Sequence, residues 1–176
     1  MRLYLLILIA VLGIGCQEKK EVKKDSSLFK GQYDKEAFKY LETFINASLE
    51  TRKSLSHSLQ PTEKDIKTVF SDTTKQRKVK EYIKKIFEEN KFNIVLRKEH
   101  QQLKVWSASI SDFKNNAEHA IIFPSDFMEV IDEVNSSLTF HRFKFVAKGN
   151  EAGAAYEGLT KVNDHWVIFP KIWKAF

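Results

Sequence analysis

The chain has 176 residues, enough for one domain with a sizeable core. Its 14 Phe, 5 Tyr and 3 Trp can build that core, and a single cysteine, Cys16, excludes any disulfide within the chain. A formal net charge of +6 makes the chain modestly basic, which leaves anionic partners open.

The chain opens with Arg2, an unbroken apolar run from Leu3 to Leu12, and then Gly13, Ile14, Gly15 and Cys16. A membrane-crossing helix needs about 20 apolar residues, and this run is too short. A short positive start, a brief apolar stretch and small residues before a cut are the marks of an export signal. Ile14, Gly15 and Cys16 resemble the lipobox of bacterial lipoproteins, with Gly13 standing where that family usually has Leu. The resemblance implies a signal peptide over residues 1–15, cleavage before Cys16, and acyl chains on that cysteine. It also implies attachment to a membrane of the cell envelope. Gln17 and Glu18 follow the cysteine in place of the Asp that signals inner-membrane retention in some bacteria, which favours the outer membrane.

Residues 16–32 are almost wholly polar, cannot bury a face, and read as a tether carrying Lys19, Lys20, Lys23 and Lys24. A single domain is expected over residues 33–176. Asp34 is placed to cap a helix whose apolar residues recur as Phe38, Leu41, Ile45, Leu49, Leu55 and Leu59 before Pro61 stops it. Thr62 with Asp65 forms a capping pair for a short helix through Ile66, Val69 and Phe70. Asp72 starts another, with Val79, Tyr82, Ile83, Ile86 and Phe87 on one side. Its outer side holds Lys75, Arg77, Lys78, Lys80, Lys84 and Lys85. Such a row is ordinarily a solvated face; if it binds anything, lipid or a surface polyanion fits best. No aromatics interleave with the charges, so nucleic acid is not expected.

Strand-like runs follow at Phe92–Leu96 and Leu103–Ile110, then a helix from Ser125 bearing Phe127, Val130, Ile131 and Val134. Three last runs, Leu138–Ala147, Ala152–Val162 and His165–Trp173, read as an antiparallel meander. With loops of four and two residues, Phe143 faces Tyr156, Arg142 faces Glu157, and Ala154 faces Trp173. One face would carry His141, Phe143, Phe145, Tyr156, Val167, Phe169, Lys171 and Trp173. The other would carry Phe140, Leu159, Trp166, Ile168 and Ile172. The small residues Gly153, Ala154, Ala155 and Gly158 point to a sharply bent sheet, and Pro170 to an edge or a bulge. The fold class is therefore α+β, helices first and a curved antiparallel sheet last. It resembles the cone-shaped nuclear transport factor 2-like and cystatin-like folds, and the stretch from Gly158 to Lys174 is similar to the close of uncharacterised exported bacterial proteins. Neither likeness implies an activity.

No Gly-x-Ser-x-Gly elbow, His-Glu-x-x-His motif, phosphate-binding glycine loop or cysteine pair is present. The histidines at 57, 100, 119, 141 and 165 stand at no ligand spacing, so neither a metal nor another cofactor is expected. The candidate chemistry is His141 with Tyr156 and Lys171, a histidine beside a phenol able to move protons or orient a polar ligand. Three functions stay open. One is a binding or interaction module for an envelope protein, lipid or polyanion. The others are a small enzyme using those three residues, and a structural lipoprotein.

Overall fold

The helical half starts at Asp34, whose Oδ1 accepts hydrogen bonds from Glu36 N at 2.8 Å and Ala37 N at 3.1 Å. Two of the orphan donors of a helix start are thereby satisfied. A computed structural model describes residues 34–89 and 91–176. The expected signal segment 1–15, the expected lipidation site Cys16 and the expected tether to residue 32 lie outside the described residues.

Helix α1 (Lys35–Asn46) buries Ala37, Leu41 and Phe44, one stripe at helical spacing. The expected single helix through Leu59 is in fact two. Ala47 and Ser48 are extended, and the Ser48 hydroxyl accepts from Thr51 N to open α2 (Leu49–Ser58). The break rotates the second helix off the first one's stripe, so Leu49 is 60 % exposed. Helix α3 (Glu63–Val69) has the expected box, with Thr62 and Asp65 capping each other's backbone. Helix α4 (Thr73–Lys84), capped by Asp72, runs into a wider π turn at Lys85–Glu89.

Phe92–Leu96 is not a strand. Its backbone groups are taken by side chains instead of a ladder: Ile94 N donates to Ser56 Oγ, Val95 N to the Tyr156 hydroxyl, and Leu96 O accepts from Arg52. The segment belongs to no helix or strand, and Ile94 within it is buried.

Strand β1 (His100–Ser109) leads through α5 (Ile110–Lys114), α6 (Ser125–Met128) and a 3-10 turn at Ile131–Glu133 to β2 (Thr139–Ala147). The expected helix from Ser125 to Val134 is thus one turn and a 3-10 turn. Val130 N bonds to Phe127 O and Glu133 N to Val130 O, spacings of three that tighten the chain. Strands β3 (Ala155–Val162) and β4 (His165–Ile168) follow, then a closing 3-10 turn at Ile172–Ala175. The four strands pair antiparallel in chain order, so the α+β architecture and the final three-stranded meander are present.

Phe143 does pair with Tyr156, but His141 pairs with Leu159, so Glu157 and Gly158 together oppose Arg142. This bulge replaces the expected plain Arg142–Glu157 pair. Gly158 sits at φ +85, and a Cβ there would lie 2.3 Å from the Phe169 carbonyl oxygen. One extra residue reverses side-chain parity. Leu159, Trp166 and Ile168 therefore lie on His141's face and Val167 on the other, the reverse of the expected division. Asn163 and Asp164, both at positive φ, make the expected two-residue turn. The expected Ala154–Trp173 pair does not form. Strand β3 begins only at Ala155, and β4 stops at Ile168, two residues before Pro170, which has no N–H for a ladder. Lys171 then takes a left-handed conformation and Trp173 enters the 3-10 turn.

Both faces of the sheet are covered. Helix α1 lies on the first, with Phe44 against Phe145 and Tyr40 stacked on Trp166 at 5.6 Å. On the second, Phe127 meets Phe140 at 5.2 Å and Trp173 at 6.4 Å. The outer edge of β4 is partly closed by the bond from Ile168 N to Leu59 O. Truncating a fully buried phenylalanine such as Phe44 would cost roughly 3–5 kcal/mol.

Candidate functional site

His141 stands on β2 under the N-terminus of α1, only 2 % exposed. Its Nδ1 lies 2.8 Å from Ser107 Oγ on β1, and its Nε2 lies 3.6 Å from Asp34 Oδ2. The Trp166 ring closes its side edge-on at 5.4 Å between centroids. Burial pushes the imidazole down to about 4, with Asp34 and then Glu36 pulling the other way. The ring is neutral near pH 7, and the carboxylate beside Nε2 favours the proton there. Nδ1 is then an acceptor for the Ser107 hydroxyl.

Ser107, His141 and Asp34 stand in the order of a nucleophile, a base and an orienting acid. Nucleophilic chemistry also needs a substrate within reach of the hydroxyl, and Ser107 is 3 % exposed beneath α1. What this row does is fasten α1 to the two strands below it. Sequence reasoning took Asp34 as a cap and passed over Ser107. The available signal was a lone serine in the buried alternation of Leu103, Val105 and Ser107.

Tyr156 is on the same face as His141 but one pair further along β2, stacked on Phe143 at 5.2 Å. Its hydroxyl accepts from Val95 N at 2.8 Å, and burial pushes its pKa up. Lys171 lies beyond the end of β4 and is exposed. It acts on Glu157, which belongs to the opposite face. Burial raises the Glu157 pKa, while the charges of Arg142 and Lys171 hold it back. The fold gives the three candidates separate neighbours: His141 is held by Ser107 and Asp34, Tyr156 by Val95, and Lys171 stands toward Glu157.

A second feature comes from the long connection between β1 and β2. Phe113, Asn116, Ala120, Ile121, Phe123, Ser125 and Met128 line an open recess of about 230 Å³. Its floor is the edge-on pair Phe113 and Phe123, 4.9 Å apart. Ile121 is 72 % exposed at its rim, and Met128 is exposed too. The exposed acids nearby in the chain are Glu118, Asp126 and Glu129. Sequence patterning does not reveal it, because Ile121, Ile122 and Phe123 form one apolar run in the chain, of which only Phe123 is buried.

Among the described residues, no group of three or more His, Cys, Asp or Glu side chains is placed to hold a metal ion. No described helix is long and apolar enough to cross a membrane. No family model, no curated protein and no solved structure matches the chain.

Proposed function

We propose that the chain is a lipid-anchored protein of the bacterial cell envelope, on the outer membrane, whose domain works by binding. The observation that carries the reading is the run from Arg2 through Leu3–Leu12 to Gly15 and Cys16, too short to span a bilayer and ending on the sole thiol. An apolar recess with an exposed isoleucine on its rim supports binding. The locked state of His141 and Tyr156 supports binding over catalysis by those residues. The occupant that suits this recess is an apolar side chain of an envelope protein, flanked by basic residues that complement Glu118, Asp126 and Glu129.

The anchor is tested by fractionation with lipid labelling of wild type and Cys16→Ala. Label and membrane attachment are expected in wild type and lost in the variant; attachment and label unchanged in the variant would refute the anchor. For binding, a photo-crosslinker is placed at Ile121 and, as a control, at Leu49, an exposed leucine outside the recess. A discrete adduct from position 121 alone is expected; equal adducts from both, or none, would remove the recess from consideration.

A further inference from the structure

Helix α4 packs inward through Val79 and Ile83, and its outward side is dense in positive charge. Two of its six basic positions, counting Lys85, are neutralised: Lys75 pairs with Glu133 and Lys80 with Glu63. Arg77, Lys78, Lys84 and Lys85 are all exposed and form no ion pair with a described residue. Glu81 is the one acid within the helix itself. Of the elements packed beside α4, the π turn adds exposed Glu88 and Glu89, and helix α3 carries Glu63, which is paired with Lys80. Helix α3 also contributes exposed Lys64 and Lys67, and the C-terminal segment contributes exposed Lys171 and Lys174. Lysine outnumbers arginine here, and no exposed aromatic lies among the charges on α4. Bidentate arginine forks and stacking platforms, the usual means of reading nucleic acid, are therefore not what this surface offers.

We propose that the outward face of α4 lies against anionic lipid headgroups, so that the domain rests on the bilayer rather than standing off from it. The setting rests on the anchor reading given above. From Cys16 to Asp34 the chain can reach about 60 Å at most when extended, which keeps α4 within range of the surface. Paired lysines contribute little to such contact, because their charge is already met. The four unpaired residues carry it, each adding roughly fivefold to partitioning onto an anionic surface at low salt.

The test uses the chain from residue 16 onward carrying Cys16→Ser, so that no acyl group takes part. Sedimentation with vesicles of phosphatidylcholine, alone or mixed with phosphatidylglycerol, reads the binding. Expected are binding to the mixed vesicles only, release by salt, and a drop of about tenfold or more in the R77Q/K78Q/K84Q/K85Q variant. A K19Q/K20Q/K23Q/K24Q variant is expected to keep most of the binding. Circular dichroism checks the fold of each variant, and the pairs R77Q/K78Q and K84Q/K85Q stand in if the fourfold change unfolds the helix.

Equal binding by the α4 variant and wild type, no preference for phosphatidylglycerol, or loss confined to the 19–24 variant would each overturn the proposal. So would retention on a soluble polyanion such as heparin with vesicles left unbound. Because the acyl group is absent, failure here leaves the lipid-labelling result untouched, and failure of that labelling leaves this measurement valid.

Discussion

Acidification should weaken this fold through His141 before most carboxylates titrate. The imidazole has an ordinary pKa of 6.5 and is held at about 4 in the folded chain by burial, with Asp34 and Glu36 opposing. Between those values the unfolded chain binds a proton that the folded chain does not. The stability this residue protects is therefore complete above about pH 6.5 and is lost as pH falls toward 4. The shift corresponds to about 2 kcal/mol lost by pH 5 and about 3 kcal/mol by pH 4. Other groups act in neighbouring windows. Glu157, with a raised pKa, takes up a proton more readily when folded and so works in the opposite direction. Asp65 and Asp112 sit below their ordinary value and matter mainly at lower pH.

A difference measurement separates them. His141→Asn retains an acceptor for Ser107 and removes the titration. Urea denaturation of wild type and variant from pH 7.0 to 4.5 gives the two stabilities as a function of pH, on the order of a few kcal/mol each. The gap between them is expected to shrink by about 2 kcal/mol from pH 7 to 5. A gap that stays constant within about 0.5 kcal/mol over that range would refute the placement of a buried neutral imidazole.

Gly158→Ala forces a side chain into the left-handed bulge against the Phe169 carbonyl, so a loss of about 2 kcal/mol or more is expected in thermal or urea unfolding. An unchanged midpoint would contradict the bulge. Asp65 is buried and accepts from Thr62 N at 2.8 Å, from Asn163 Nδ2 at 2.7 Å and from the Thr62 hydroxyl, with His165 Nε2 at 3.1 Å. Burial alone would raise its pKa, and the bonds from Thr62 and Asn163 outweigh it. Asp65→Ala strips those donors of their partner, and a loss of roughly 3 kcal/mol is expected, with faster amide exchange at the 163–164 turn. Exchange there at the wild-type rate would show that the turn does not depend on the carboxylate.

The helix starts were legible because their chemistry is local. Asp34, Thr62 with Asp65, and Asp72 each cap a helix through side-chain oxygens two or three residues away from the amides they serve. The 163–164 turn was legible for the same reason, since loop length fixes register near a turn, whereas the Phe143–Tyr156 pair forms although the connection before β3 runs over 148–154 and not the expected four residues. The break at Ser48 was hidden by an apolar spacing that runs on through Leu49 and Leu55. The bulge at Glu157 and Gly158 was hidden because the straight register matched an arginine with a glutamate, a plausible pair. Its consequence reached furthest, since it turned Leu159, Trp166 and Ile168 to the opposite face and left Lys171 near Glu157. The Ser107–His141–Asp34 row joins three elements distant in the chain, and no spacing rule reports such a meeting.

Asp34 has one oxygen on the amides of α1 and the other turned toward His141 on an inner strand. In mechanical terms, tension applied to the domain from its N-terminal side would meet, at Asp34, a junction braced on two elements. Such tension would have to free α1 from the imidazole and the sheet before it could draw on any ladder hydrogen bond. A domain held this way should yield first at the α1 seam, leaving the meander intact.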